Sequence, residues 1–328
     1  MKIKVSELIV KYMERLGIDT IFGMPGAHIL PVYDSLYDSG IESILAKHEQ
    51  GAAFMACGYA KASGRISACI TTAGPGATNL VTGIANAFAD KQPILIITGE
   101  TSTTIFGKGG LQESSGEGGS IDQGELFRSI TRYSKLIERT DYLAQVLNQA
   151  SKILLSANPG PVLLSLPFNV QKELVDADIL RNIKTKRHVY AVDKNSPPVD
   201  ALAQQISEAK HPVILAGYGC IKSGAQDIVS QLSKSLNIPV ATSLKGKGVI
   251  GDASELSLGS LGVTSDGRAY RYIVQQADMV LFLGAGFNER TSYLWDQKIL
   301  RNKKIAQIDS DPAQLEKVFE ADVAIQGD

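Results

Sequence analysis

Short apolar runs that stop abruptly at glycine constrain this chain more than any other feature. Ile18 to Phe22 runs into Gly23-Met24-Pro25-Gly26, and Ile66 to Thr72 into Ala73-Gly74-Pro75-Gly76. Farther on, Pro212 to Ala216 ends in Gly217-Tyr218-Gly219, Ile238 to Ser243 leads to Lys245-Gly246-Lys247-Gly248, and Met279 to Leu283 ends in Gly284-Ala285-Gly286. Runs this short and this continuously apolar suit strands covered on both faces, the environment of a parallel sheet. Helical stretches lie between them. Val5, Leu8, Ile9, Tyr12, Met13 and Leu16 repeat at helical spacing over 4–16, and Gly17 ends that helix. Strand–helix alternation of this kind predicts doubly wound, mainly parallel α/β sheets, with the glycine turns lining the ligand crevice at strand carboxyl ends.

A chain of 328 residues has room for two domains, each with its own core. The pattern lapses where Arg181-Asn182-Ile183-Lys184-Thr185-Lys186-Arg187 forms a charge run and Asn195-Ser196-Pro197-Pro198 a turn cluster. The expected organisation is a first domain over 1–175, a linker over 176–198 and a second domain over 199–328. In the first, helices are expected over 28–37, 51–62, 77–89 and 141–156, and further strands over 41–46, 93–98 and 161–166. The second adds helices over 199–209 and 223–236 and a last strand over 304–308. Gly83, Ala85, Ala87 and Ala89 make the 77–89 helix small enough to pack tightly on a sheet or on a second subunit. Residues 99–124 are rich in glycine on either side of Leu111-Gln112-Glu113-Ser114-Ser115, which reads as a mobile loop, either a functional lid or plain surface.

Charge excludes some functions. With 33 basic against 34 acidic residues and no basic stripe, nucleic acid is not an expected partner. No apolar run is long enough to span a membrane, and Met1-Lys2-Ile3-Lys4 leads straight into an amphipathic helix without a signal-peptide core, so a cytoplasmic protein is expected. Cys57, Cys69 and Cys220 lack ligand spacing and read as structural thiols; His28, His48, His188 and His211 are too scattered for a metal site.

One carboxylate stands out. Glu49, in Lys47-His48-Glu49-Gln50-Gly51-Ala52-Ala53, follows an apolar run and opens a small-residue helix, where free backbone N–H groups favour negative charge. An isolated Glu here would be read as a cap or a surface acid. Its neighbours in sequence are Phe22-Gly23-Met24-Pro25-Gly26 and Thr71-Thr72-Ala73-Gly74-Pro75-Gly76-Ala77-Thr78-Asn79, both glycine-and-proline turns directly after strands.

Together these three segments resemble the pyrimidine-binding domain of thiamine diphosphate (ThDP) enzymes of the acetolactate synthase and pyruvate oxidase type, and the resemblance extends over essentially the whole chain. It implies that Glu49 bonds N1′ of the cofactor's aminopyrimidine and so favours the tautomer that takes the thiazolium C2 proton. It further implies that Pro75, Gly76 and Asn79 pack against that ring, that Thr72 is a further cofactor-binding residue, that Pro25 and Gly26 line the substrate side of the thiazolium, and that Gln112 stands at the mouth of the site. The residue before that glutamine is usually aromatic in acetolactate synthases; here it is Leu111. The second domain resembles the family's central, Rossmann-like domain, which holds FAD in some members, ADP in others and nothing in the rest. Gly217, Lys245, Gly246 and Gly284 would line that groove, although no GxGxxG occurs and acetolactate synthases typically carry Met at the position of Lys245.

The family's third domain holds Mg²⁺ and the cofactor diphosphate through Gly-Asp-Gly and a later Asn, a hard-oxygen set suited to that ion. Here Gly251-Asp252 is followed by Ala253, and Gly327-Asp328 ends the chain. The chain is therefore expected to be the first two domains of a longer protein, or one subunit of a split enzyme with a separate diphosphate-binding subunit, with no metal ligands of its own. As an enzyme it would act on a 2-keto acid or aldehyde within a homodimer or tetramer. The alternative is a non-catalytic nucleotide- or partner-binding module.

Overall fold

The computed structural model describes residues 1–186 and 192–328, which leaves Arg187 of the charge run and His188 outside the described residues. The chain divides into two compact units, Met1–His188 and Val189–Asp328.

In the first unit the elements run β1 (Lys2–Lys4), α1 (Val5–Arg15), β2 (Thr20–Gly23), α2 (Leu30–Tyr37), β3 (Glu42–Leu45), α3 (Glu49–Ser63), β4 (Ser67–Thr71), α4 (Pro75–Thr78), α5 (Val81–Ala89) and β5 (Ile94–Glu100). There follow α6 (Gln123–Arg128), β6 (Tyr133–Leu136), α7 (Leu143–Leu154), β7 (Val162–Pro167) and β8 (Leu174–Asp176). Six strands form one parallel sheet in the order β3-β2-β4-β5-β7-β6. Alternate residues feed two cores: Ile21, Ile70, Leu95 and Ile97 pack on one face, and Phe22, Cys69, Ile94 and Ile96 on the other, as the two-residue period of a strand requires. The chain winds outward from β2 to β3 and then crosses to β4 on the other side, so the strand order reverses between β2 and β4. Ligands of open α/β sheets lie outside the carboxyl ends of the strands at such a reversal. On the α1 side, buried Tyr12 donates to Leu147 O at 3.0 Å and meets Ser151 Oγ at 2.9 Å, tying α1 to α7 without leaving a hydroxyl unpaired.

The second unit comprises α8 (Pro197–Glu208), β9 (Pro212–Ala216), α9 (Tyr218–Lys222), α10 (Gln226–Leu236), β10 (Val240–Thr242), β11 (Ser257–Ser260), α11 (Arg268–Gln275), β12 (Met279–Leu283), β13 (Lys304–Asp309) and β14 (Val323–Gln326). Its sheet is also parallel, ordered β11-β10-β9-β12-β13-β14, with the reversal between β9 and β12. Both units are thus doubly wound α/β sheets.

Several boundaries differ from the sequence expectation. The 77–89 helix is two pieces, α4 and α5, and the 223–236 helix is preceded by the separate turn of α9. The expected connector begins later than 176: β8 pairs antiparallel with β1, a 3₁₀ segment covers Ala177–Asn182, and Leu180 and Ile183 are buried in the first unit's core. Arg181 there pairs with Asp178 at 3.1 Å. The tight approach expected for the small-residue helix is made within the unit, where a Cβ on Gly83 would come to 2.4 Å from that of Ala53 on α3. Among the described residues no helix is long and apolar enough to cross a membrane.

Candidate active site

Glu49 is the first residue of α3, two residues earlier than the sequence suggested, and this matters for its chemistry. The residue before it, His48, caps the helix: its Nδ1 accepts from Gln50 N at 3.1 Å. Capping is therefore done by the imidazole, and the half-buried Glu49 carboxylate is released for another partner. That partner is Asn79, whose Nδ2 donates to Oε2 at 3.0 Å. Oε1 has no hydrogen-bond partner among the described residues and lies 3.5 Å from the position a Cβ on Gly76 would take. Beneath it on β4, the Cys69 thiol is pushed well above its ordinary range, by its complete burial first and by the Glu49 charge second.

The turn after β4 is built around missing side chains. Gly74 has φ +57, a left-handed conformation that favours glycine, and a Cβ there would press on Gln112 O at 2.9 Å. A Cβ on buried Gly76 would meet Thr71 Oγ1 at 2.7 Å and Thr72 Cγ2 at 2.8 Å. Pro75 and Asn79 are exposed on the same turn. Across the strand-order reversal, Gly26 packs on Thr72, where a Cβ would come within 2.6 Å of the threonine Cβ, and exposed Pro25 precedes it. The structure thus brings Gly26, Thr72, Gly76, Glu49, Asn79 and Gln112 together at the carboxyl ends of β2 and β4.

The 99–124 segment is more ordered than its glycine content suggests. Glu100, fully buried, accepts from Thr101 N at 2.8 Å, Ser114 N at 3.0 Å and Ser114 Oγ at 2.5 Å. Glu113 gathers Gly107 N at 2.6 Å and Gly110 N at 3.0 Å, and these bonds hold its carboxyl below the usual range. Between the two anchors, Gln112 sits half-buried with φ 55, an uncommon conformation for a non-glycine residue.

Three features of this neighbourhood were not anticipated from sequence. His48 supplies the cap; Thr71 Oγ1 is buried with no partner; and His28 Nδ1 is likewise buried and unpartnered. Only the threonine had a visible signal, as a hydroxyl at the end of a buried strand.

A ring-shaped ligand fits the turn chemically. A buried hydroxyl without a partner, a carboxylate with one oxygen fixed and one open, and a backbone edge stripped of Cβ atoms suit a flat heterocycle bearing donors, as an aminopyrimidine does. The second unit differs. A Cβ on Gly217 would come within 2.1 Å of Gly284 O, on Gly219 within 2.6 Å of Gly284 Cα, and on Gly246 within 2.4 Å of Ala216 O. Backbone fills the Cβ positions of these glycines, so they serve close packing of neighbouring turns, and Lys245 lies exposed on the neighbouring 3₁₀ turn.

Family comparison agrees with both units. Residues 3–120 match the model of the thiamine pyrophosphate enzyme N-terminal TPP binding domain, and residues 199–328 that of the thiamine pyrophosphate enzyme central domain. The chain is 37% identical to a probable acetolactate synthase large subunit of Methanocaldococcus jannaschii, over 99% of this chain and 54% of the relative. It is 37% identical to the acetolactate synthase isozyme 1 large subunit of Escherichia coli, over 98% of this chain and 55% of that one. An acetolactate synthase of Arthrospira platensis is 35% identical, with 98% and 55% covered. The chain spans about half the length of the curated relatives it matches. On its two consecutive domain matches and its similarity to these relatives from end to end, the chain belongs to the thiamine diphosphate-dependent enzyme family of the acetolactate synthase type, and it carries that family's N-terminal and central domains.

Proposed function

We propose that this chain supplies the aminopyrimidine-binding half of the ThDP site in a 2-keto acid decarboxylase or carboligase of the acetolactate synthase kind. One observation carries the reading: the Glu49 carboxylate is fixed by Asn79 through one oxygen and open beside Gly76 through the other. When bound, thiamine diphosphate supplies the carbanion chemistry. Glu49 would share a proton with N1′ of the aminopyrimidine, a bond that a carboxylate fixed at one oxygen can offer with the other. Gly74, Pro75 and Gly76 give that ring a backbone surface, Thr72 supports the turn, and Pro25 and Gly26 line the substrate side. Gln112, held against Gly74, borders the entrance.

The relatives are named acetolactate synthases, which fits the substrate we propose, a 2-keto acid or an aldehyde. Among the described residues no group of three or more His, Cys, Asp or Glu is placed to hold a metal. We assign Mg²⁺ and the cofactor diphosphate to a diphosphate-binding domain, in the same protein or in a separate subunit. The working assembly is a homodimer or tetramer in the cytoplasm. A purely binding role for the chain has no use for the released carboxylate of Glu49. The test is turnover of pyruvate by the complete assembly carrying Glu49→Gln or Glu49→Asp. Both lose activity on this reading, Gln because it cannot share the proton and Asp because it falls short. Turnover by Glu49→Gln at the wild-type rate removes the reading.

A further inference from the structure

His28 has its main chain held on every side and its ring bonded by nothing. Its N–H donates to Thr72 Oγ1 at 3.4 Å, and its C=O accepts from Gln171 Nε2 at 2.6 Å. Gln171 is itself fully buried and spends its amide on His28 O and on Leu166 O at 2.7 Å. The side-chain root is equally fixed: a Cβ on Gly99, at the carboxyl end of β5, would come within 2.8 Å of the His28 Cβ and 2.4 Å of its carbonyl oxygen. Yet Nδ1 is enclosed without a partner, and Nε2 makes no hydrogen bond among the described residues. A buried polar atom left unsatisfied is destabilising, so an orphaned imidazole on a pinned backbone needs an explanation.

The location supplies one. Thr72, which receives the His28 N–H, also touches Gly26 and lies against Gly76, and Gly76 lies beside Glu49 Oε1. His28 therefore stands in the crevice at the strand-order reversal, on the segment that continues from Pro25-Gly26. An enclosed Nδ1 with no acceptor nearby is poorly suited to carry a hydrogen. The tautomer with the proton on Nε2 avoids burying an unpaired N–H and presents a donor on the ring's unenclosed side.

Resting on the function proposed above, we infer that His28 is a substrate-binding residue, whose Nε2–H donates to a carboxylate or carbonyl oxygen of the 2-keto acid. Such a bond orients the keto acid against the cofactor and makes the site discriminate against ligands that lack an acceptor there.

The test uses the complete active assembly. Ethoxyformylation of His28 by diethyl pyrocarbonate, mapped by mass spectrometry in the wild-type protein, is expected to slow at least about tenfold when methyl acetylphosphonate, a 2-keto acid analogue that cannot decarboxylate, is saturating. His28→Leu is expected to lose roughly ten- to a hundredfold in kcat/KM for pyruvate and to bind the analogue correspondingly more weakly; His28→Gln, which keeps an N–H donor, recovers part of both. Exchange of the cofactor C2 proton stays at the wild-type rate in both variants. Labelling indifferent to the analogue, or a His28→Leu kcat/KM equal to wild type, overturns the inference. So does loss of C2 exchange in His28→Leu, because His28 would then support the cofactor and not the substrate. Normal exchange in Glu49→Gln alongside protected His28 would instead remove the Glu49 assignment and leave His28 standing.

Discussion

The side chain of Asn79 donates to Oε2 of Glu49 at 3.0 Å, across the gap between the turn after β4 and the start of α3. The bond reaches between two elements that are 30 residues apart in sequence, and it orients a carboxylate that helix capping by His48 has left available. Removing the donor should therefore loosen Glu49 without removing it. Asn79→Ala is expected to lower C2 proton exchange about tenfold, the value of one charge-assisted hydrogen bond, with far-UV circular dichroism unchanged. Asn79→Asp should be worse near neutral pH, because it sets two carboxylates against each other. Its activity should recover as pH falls, once the pair can share one proton.

Glycines on the same pair of helices should respond in opposite directions to alanine. A Cβ on Gly83 would lie 2.4 Å from that of Ala53, whereas one on Gly58, in the middle of α3, has nothing within 4 Å. Gly83→Ala should destabilise the first unit by about 1–3 kcal/mol through overpacking. Gly58→Ala should stabilise it by about 0.5–1 kcal/mol through helix propensity. Urea unfolding followed by circular dichroism separates the two signs.

The 99–124 segment should depend on Glu113. Its carboxylate collects Gly107 N and Gly110 N, so Glu113→Ala leaves that turn without its anchor. Limited trypsin digestion should cut after Lys108 roughly tenfold faster in the variant, with the melting temperature nearly unchanged. Equal cleavage rates would mean that the anchor at Glu100 alone holds the segment.

Burial pushes the Cys220 thiol up to about 11 from an ordinary value of 9.0. The folded second unit thus holds this proton more tightly than the unfolded chain does. Its contribution is fully present below the unfolded value and declines as pH rises from about 9 towards 11. Cys220→Ala should flatten the loss of stability over that window, measured by denaturant midpoints from pH 8 to 11.

How much of this was legible in sequence depended on how loudly a residue type speaks. β2, β4, β5, β9 and β12 were visible because each is continuously apolar and stops at or near glycine. β6 (Tyr133–Leu136), β11 (Ser257–Ser260) and β14 (Val323–Gln326) were not, because they are short, and β6 and β11 are edge strands whose polar residues break the apolar run. The break between α4 and α5 falls at Asn79-Leu80, without proline or glycine to mark it. The left-handed φ of Gln112 is imposed by the anchors on either side and has no local cue. In sequence His28 reads only as one of four histidines too scattered for a metal site, and its unpartnered Nδ1 is what draws attention to it.

Exchange of the thiazolium C2 proton for deuterium, followed by quenched-flow and NMR in the complete assembly, tests the central claim most directly, because it reads the cofactor's activation before any substrate is involved. With Glu49 in the proposed role, Glu49→Gln binds ThDP with its fold intact but exchanges at least about a hundredfold more slowly than wild type. Exchange at the wild-type rate in Glu49→Gln would contradict the account, since the open oxygen beside Gly76 would then have no part in activating the cofactor.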